Sequence, residues 1–324
     1  MIAHTRLSLK KFTTGSYLDF GRNLNFFMTK QHKNNAAGNS IHLKYWRKLV
    51  FVSQALANHK LIAELLTFFK TTILRREIVL THPCILQQSA RQWFYYNSTM
   101  QERVSILQDH FLFLENRLSN AALHQLYLGE GISLWNQEYK NNTLAIKLHF
   151  NHNYRKEGLL AITLNLGEER VYLMTFWIAP NKDNENILWI GALQGLRGHL
   201  QTNKDLTKHF FGYRPQNFTL HALRTIAQQL GIQSIYAVSN HGFQASHHIS
   251  AKRRLKTSYD HFWEETQGTL CDDSRFFSLP IVESRKTLDE IPSHKRNLYR
   301  KRFAMLDTIE AEITQTLAPY LLNK

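Results

Sequence analysis

The chain has 324 residues, of which 43% are hydrophobic and 20% charged, a globular composition that excludes a disordered or fibrous protein. Its 40 Lys and Arg exceed its 25 Asp and Glu, and the net charge of +15 favours nucleic acid, anionic lipid or phosphate-bearing molecules as partners, with a solvated surface that has no such partner as the alternative. Two cysteines, Cys84 and Cys271, exclude a disulfide framework and a cysteine-based zinc cluster. Because no secretory signal precedes Lys10 and no apolar run approaches ~18 residues, we predict a cytoplasmic protein with no transmembrane segment.

Residues 1–150 have the apolar spacing of helices. Apolar residues recur at intervals of three and four from Ile41 to Leu74 and from Thr99 to Leu118. Thr99 and Glu102 have the spacing of a capping box, which predicts where the second helical stretch begins. We therefore predict a mostly helical N-terminal region over residues 1–150 and a mixed-sheet core over residues 151–324.

Three strand-like segments follow Gly158. They are Leu159–Leu166, whose apolar residues alternate, Val171–Ile178, which is rich in β-branched and aromatic residues, and Ile187–Leu193, which is apolar on both faces. The connections between them are short and contain turn-forming residues such as Gly167. Short connections predict that the three strands form an antiparallel meander.

A longer connection leads from the third strand into an amphipathic helix. Its apolar side runs from Phe218 to Leu230, Asn217 is a suitable N-cap and Gly231 is suitable just after its C-terminus. The next segment, Ile232–Val238, is a predicted strand, so a strand, a crossover helix and a strand predict a parallel pair. The predicted fold class is α/β (α+β), with a mixed sheet that joins the antiparallel meander to one βαβ unit.

Several smaller elements complete the prediction. They are a short helix at Asp205–Phe210, a helix that ends at Tyr259–Glu265, a short strand at Phe276–Pro280 and a long helix at Ser293–Leu322.

A glycine-rich segment, Gly191–Gly198, comes at the end of the third strand. Its glycines let backbone approach a ligand closely and Arg197 adds a positive charge. The residues predicted to bind a phosphate or pyrophosphate are Gln194, Gly195, Arg197 and Gly198. The sequence lacks the Gly-Lys-Ser/Thr of a Walker loop and the full dinucleotide fingerprint. A glycine-rich bend at a sheet edge is the alternative interpretation.

Lys208 and Arg214 lie in the connection that follows this segment. Together with Arg197 they can form an anion pocket at the N-terminus of the amphipathic helix, where backbone N–H groups and the helix dipole favour negative charge. The alternative is a basic face in contact with solvent.

Asn240 and His241 follow the predicted parallel strand. Open α/β sheets bind ligands at the carboxyl ends of their strands, so we predict these two residues as catalytic candidates, with His241 as a general base. A hydrogen-bonded structural histidine is the alternative. The spacing of His241, His247 and His248 matches no standard zinc motif, so no metal site is predicted.

Three features of the C-terminal part bear on chemistry or binding. The acids Asp260, Glu264 and Glu265 form either an acid–base group or ion-pair partners for nearby cations, and the second is favoured. Cys271 is a poor nucleophile candidate because its neighbours are acidic. The basic run from Lys295 to Arg302 suits nucleic acid, an anionic membrane surface, or ion pairs with acids elsewhere.

Six ordered segments of the second half match one known family as a set. They are Gly191–Gly195 with Arg197-Gly198, Thr207-Lys208 with Gly212–Pro215, Ala237–Asn240, Tyr259–Glu264, Phe277–Pro280, and Ile291–Arg296 with Tyr299-Arg300. On these segments the chain resembles the VirK/YbjX family of bacterial proteins, a domain of unknown function, from about Leu159 to Asp307. Arg103 and His110 match the family pattern loosely, and the family usually has a bulkier, more basic stretch at Gly212-Tyr213. The resemblance implies a proteobacterial protein linked to virulence, envelope integrity and resistance to antimicrobial peptides, without an established reaction.

The order of the predicted elements is also similar to that of GNAT-type N-acyltransferases. This resemblance implies acyl-CoA as the donor, with its pyrophosphate near Gln194–Gly198 and the transferred group near Ser239–His241, although the connection to the main helix is longer here. We predict a VirK-like protein that supports envelope integrity, virulence or peptide resistance as a GNAT-like acyltransferase acting on an envelope component. The alternative is a non-enzymatic accessory factor that binds nucleic acid, anionic lipid or a protein partner.

Overall fold

The computed structural model describes residues 53, 57–195, 200–244 and 258–322, and the chain divides into two compact units between Pro83 and Cys84. The described part of the first unit contains helices α1 (His59–Lys70) and α2 (Ile73–Thr81). Thr72 separates them, because its side chain accepts a hydrogen bond from the backbone N–H of Arg75 and caps α2. The predicted helical stretch is therefore interrupted there, and most of its residues before His59 lie outside the described part.

The second unit is built on a mixed sheet. Its described elements are α3 (Cys84–Gln87), α4 (Met100–Arg117), α5 (Asn120–Tyr127), β1 (Ile132–Tyr139), β2 (Asn142–His149), β3 (Leu160–Leu166), β4 (Glu169–Pro180), β5 (Asn186–Gly195), α6 (Leu200–His209), α7 (Pro215–Gln229), β6 (Ser234–Val238), α8 (Tyr259–Glu265), β7 (Thr269–Leu270), β8 (Phe276–Leu279) and α9 (Ser293–Leu317). The eight described strands lie in the order β1-β2-β3-β4-β5-β6-β8-β7. The predicted mixed α/β fold with helices before the sheet is confirmed.

The sequence pattern did not predict the hairpin of β1 and β2. Lys140 and Asn141 connect the strands, and both have positive φ, 45° and 60°, as a two-residue primed turn requires. Lys-Asn is not one of the dipeptides that strongly signal this turn, so the local pattern did not reveal it. Because β2 pairs with β3 in antiparallel register, the sheet includes strands that precede residue 151.

The predicted meander and parallel pair are both present. β3, β4 and β5 are consecutive antiparallel neighbours, and β5 pairs with β6 in parallel. The predicted N-cap of the crossover helix was wrong: α7 begins at Pro215 with Arg214 as N-cap, and proline is favoured at a first helical position because its missing N–H needs no partner there. Gly231 follows the helix with φ of 74°, as predicted.

Helix α4 packs on β4 and holds the two residues that match the family pattern in the helical half. The predicted capping box of Thr99 and Glu102 is confirmed. Buried Arg103 donates to the carbonyl oxygens of Ser89 and Ser98. Buried His110 accepts the backbone N–H of Ile178 at Nδ1 (3.0 Å), so its Nε2 carries the proton and donates to the Tyr127 hydroxyl (2.8 Å). Both residues therefore cross-link the core.

The C-terminal elements close the second unit. The predicted helix at Tyr259–Glu265 begins rather than ends there, because Ser258 caps it through a hydrogen bond from the His261 N–H (3.3 Å). Helix α9 packs against α7 and β1. Within the described ranges, no helix combines the length and the apolar character needed to cross a bilayer.

Candidate functional site

The parallel strands β5 and β6 pair along only part of their length. Their register runs from Ile187 opposite Ser234 to Ile190 opposite Ala237. β5 then continues to Gly195 alongside β4, whereas β6 ends at Val238. The last residues of β5 therefore pair with β4 on one side and with no described strand on the other, and this unpaired side of β5 is called the gap.

A β-bulge marks the start of this gap. Ile190 lies opposite Phe176 and Ala192 opposite Thr175, so Gly191 is an extra residue on β5. A Cβ atom at Gly191 would lie 1.8 Å from the carbonyl oxygen of Glu157, and the same oxygen accepts a hydrogen bond from the Thr175 hydroxyl (3.2 Å). The segment before β3 thus lies directly against the bulge, and only glycine permits this approach.

Glu157, whose backbone carbonyl oxygen lies against the bulge, has a carboxyl group with a raised pKa. Glu157 is 7% exposed, and burial raises its pKa to about 7, although the positive charges of Lys156 and Arg155 lower it. A carboxyl that titrates near neutral pH can accept a proton under physiological conditions. This arrangement gives the site a candidate general base.

The hydroxyl of Tyr259 bonds to β5 on its unpaired side. It accepts the backbone N–H of Leu193 (3.3 Å) and donates to the carbonyl oxygen of the same residue (3.0 Å). Tyr259 is 2% exposed, its pKa is raised above its ordinary value chiefly by burial, and the charge of Glu157 raises it further. Tyr259 and Glu157 are therefore electrostatic neighbours at one site.

Asn240, a predicted catalytic residue, is joined to the start of α8. Its backbone N–H donates to Asp260 Oδ1 (2.7 Å), its Nδ2 donates to the Ser258 hydroxyl (2.8 Å), and its Oδ1 accepts the N–H of Tyr259 (2.9 Å). These bonds hold Tyr259 at the end of β6. The geometry makes Asn240 a positioning residue for Tyr259.

His241, the other predicted catalytic residue, is exposed and lies edge-on to the ring of Tyr96, with ring centroids 5.7 Å apart. It follows Asn240 directly in the chain, at the carboxyl end of β6. No contact between His241 and Glu157 is seen in the described residues.

The predicted phosphate-binding residues are distributed over several elements. Gln194 and Gly195 belong to β5 rather than to a loop, with Gln194 half-buried and Gly195 exposed. Arg197 and Gly198 lie outside the described residues. Lys208 is exposed in the last turn of α6, and Arg214 at the start of α7 forms an ion pair with Glu265 (2.6 Å).

That ion pair agrees with the interpretation of Glu265 as a partner for a nearby cation. Burial, followed by Asp273 and Asp272, raises the pKa of Cys271, as expected for a poor nucleophile. Among the residues with described positions, no group of three or more His, Cys, Asp or Glu side chains is arranged to hold a metal ion. His247 and His248 fall outside those positions.

Sequence reasoning missed Glu157 and the role of Tyr259. Glu157 lies in an irregular segment just before Gly158, with no motif around it. Tyr259 belongs to a family segment, but its contact with Leu193 joins residues 66 positions apart. Only the glycine at 191 signalled that another part of the chain comes close to β5.

Comparison with known proteins shows a similarity that extends well beyond the second half of the chain. An uncharacterized protein of Haemophilus influenzae is 29% identical over 218 residues, which are 66% of this chain and 71% of that protein. The uncharacterized protein YbjX of Escherichia coli K12 is 28% identical over 229 residues, 69% of each chain. A second Haemophilus influenzae protein is 34% identical over 151 residues, 46% of this chain and 48% of its own length. The profile of the family described as protein of unknown function (DUF535) matches residues 41–315, so the chain belongs to this family, the VirK/YbjX family.

Proposed function

We propose that this protein is an acyl-thioester-dependent transferase of GNAT-like architecture, with acyl-CoA as its donor. The observation that carries the proposal is the end of the β5–β6 pairing at the bulge of Gly191, which lies against the backbone of the buried Glu157. The unpaired edge of a strand can bind an extended thioester, and an ionisable carboxyl near it can activate a nucleophile.

The free edge of β5 is the proposed donor site. In an antiparallel pair, alternate residues direct their N–H and C=O groups away from the partner strand. Leu193 directs its N–H and C=O away from β4, and both form hydrogen bonds with the Tyr259 hydroxyl. Gly195 is two residues later in the same strand, so it directs its N–H and C=O to the same side. The pantetheine arm of acyl-CoA is an extended chain with two amides, which can pair with such an edge as an added strand does. Lys208 and Arg214, with Arg197, are the candidate cations for its phosphates.

Glu157 is the proposed general base. It accepts a proton from an amine or hydroxyl of the acceptor while that nucleophile attacks the thioester carbonyl. A bond forms between the nucleophile and the carbonyl carbon, the carbon–sulfur bond breaks, and the departing thiolate takes up the proton that Glu157 received. Tyr259 positions the strand, since its hydroxyl is committed to both backbone groups of Leu193.

The family resemblance suggests the acceptor. A role in envelope integrity, virulence or peptide resistance is consistent with acylation of an amine- or hydroxyl-bearing envelope component. A non-enzymatic accessory factor that binds a polyanion or a protein partner is the alternative function, and it predicts no specific binding of acyl-CoA.

The donor is tested by calorimetric titration with acetyl-CoA and octanoyl-CoA, with free CoA for comparison. A donor present at ~100 times its dissociation constant should stabilise the fold by about 2.7 kcal/mol, which a thermal-unfolding scan detects. Absence of binding and of thermal stabilisation for both acyl-CoAs would refute the transferase proposal.

The base is tested with Glu157→Gln, using free-thiol release in the presence of a panel of amine and hydroxyl acceptors. We expect unchanged donor affinity and turnover reduced by roughly 10²–10⁴-fold, the usual contribution of a general base. Glu168→Gln, at an exposed glutamate in the turn before β4, is the matched control and should keep full turnover. Equal turnover in the two variants would show that Glu157 is not the base.

A further inference from the structure

The first half of α9 exposes cations that form no ion pair with a described carboxylate. Lys295, Arg300 and Lys301 are exposed and form no ion pair with any residue whose position is described. The first turn of α9 contains no acidic residue. Lys295 lies in the first turn, where a positive charge opposes the helix dipole and disfavours the helix.

Two other arginines of the same half hold the helix in place. Arg296 donates from Nε to the carbonyl oxygen of Ile291 (3.1 Å). Arg302 donates from Nε (3.0 Å) and Nη2 (2.8 Å) to the carbonyl oxygen of Phe211, in the connection between α6 and α7. The basic run of α9 therefore divides into anchoring arginines and cations left to solvent.

Helix α6 carries a similar combination of residues. Leu200, Lys204 and Lys208 follow one another at intervals of four, so they share one face of the helix, and Leu200 is 68% exposed. Gly212, just after α6, lies against Arg302 and Leu298 of α9, and Leu298 is 40% exposed. The last turn of α6 thus adjoins the first half of α9, and each helix presents an exposed leucine among cations.

We propose that the exposed cations and leucines of α6 and α9 form a docking surface for an anionic lipid bilayer. The cations attract anionic headgroups, and the leucines can enter the interface between headgroups and acyl chains. Single-stranded nucleic acid is the less suitable partner, because it needs aromatic rings on which bases stack, and the large hydrophobic side chains exposed in the described ranges are all aliphatic. Lys208 is also a candidate cation for the donor phosphates, whereas the α9 cations Lys295, Arg300 and Lys301 belong to no part of the proposed donor site.

The test is sedimentation of the full chain with phosphatidylcholine vesicles that contain 30% phosphatidylglycerol, at 100 and 500 mM NaCl. We expect binding at low salt, strong weakening at high salt, and none to pure phosphatidylcholine vesicles. The triple variant Lys295→Glu, Arg300→Glu, Lys301→Glu should bind at least about 100-fold more weakly. If its circular dichroism shows unfolding, the triple Gln variant replaces it with the same expectation.

The matched control reverses three exposed cations elsewhere, Lys60, Arg76 and Lys182, with the same change in net charge. It should keep at least half of the wild-type binding. Equal loss in both triple variants would overturn the proposal, because net charge alone would then explain it. Binding to a 20-nucleotide single strand without binding to the anionic vesicles would also overturn it. Leu200→Ser with Leu298→Ser should weaken vesicle binding and leave its salt dependence unchanged.

Discussion

Replacing Glu157 by Gln should make the protein more stable above neutral pH. Burial raises the pKa of the Glu157 carboxyl from its ordinary 4.5 to about 7, so the folded state disfavours the ionised form. Stability linked to this group is fully present below pH 4.5 and is lost as the pH rises through about 7. Glutamine has nearly the shape of the neutral acid and does not ionise, so the variant keeps that stability at all pH values.

The size of the effect follows from the difference in pKa. The pKa of Glu157 differs by about 2.5 between the folded and unfolded states, so ionisation of this carboxyl destabilises the fold by about 3.4 kcal/mol at pH 8.5. At pH 5 the same relation gives a destabilisation of less than about 1 kcal/mol. Because Glu157 is only 7% exposed, solvent screening reduces these figures little.

Urea unfolding of wild type and Glu157→Gln at pH 5 and pH 8.5 measures the effect directly. We expect the stability gained by the variant to grow by about 2.5 kcal/mol between the two pH values. Glu168→Gln, at an exposed position, should show no such growth. The reasoning is refuted if the gain at Glu157 is the same at both pH values. A gain in stability combined with loss of turnover is the pattern of a residue retained for function.

Three further predictions test the framework of the site. Gly191→Ala should destabilise the fold by about 3 kcal/mol in urea unfolding, because its Cβ would lie 1.8 Å from the carbonyl oxygen of Glu157, whereas Gly195→Ala should cost much less. Asn240→Ala removes two side-chain hydrogen bonds to the start of α8, which should lower the local stability of α8 by about 2 kcal/mol. Hydrogen exchange in α8 should therefore become faster, while exchange in β3 stays unchanged. Burial lowers the pKa of His110 to about 3, so protonation of the unfolded state should remove about 2 kcal/mol of stability between pH 8 and pH 5, and His110→Asn should abolish this loss.

Sequence alone determined the elements whose causes are local. The spacing of Thr99 and Glu102 identified the start of α4, because a capping box involves backbone groups only three residues apart. Short connections determined that β3, β4 and β5 are antiparallel, and the crossover helix determined that β5 and β6 are parallel. Gly231 ended α7 where its φ of 74° suits glycine.

Tertiary structure alone decided which side chains share the candidate site. Glu157 has no local motif, and it becomes a candidate base only because a segment before β3 lies on a bulge in β5, more than thirty residues later. Asn240 matched the expected end of a parallel strand, yet its bonds to Ser258 and Tyr259 make it a support for α8. Helix caps and turns depend on neighbouring residues and can be read from the sequence. Burial, which sets the pKa of Glu157, depends on contacts between distant segments, and those exist only in the folded chain.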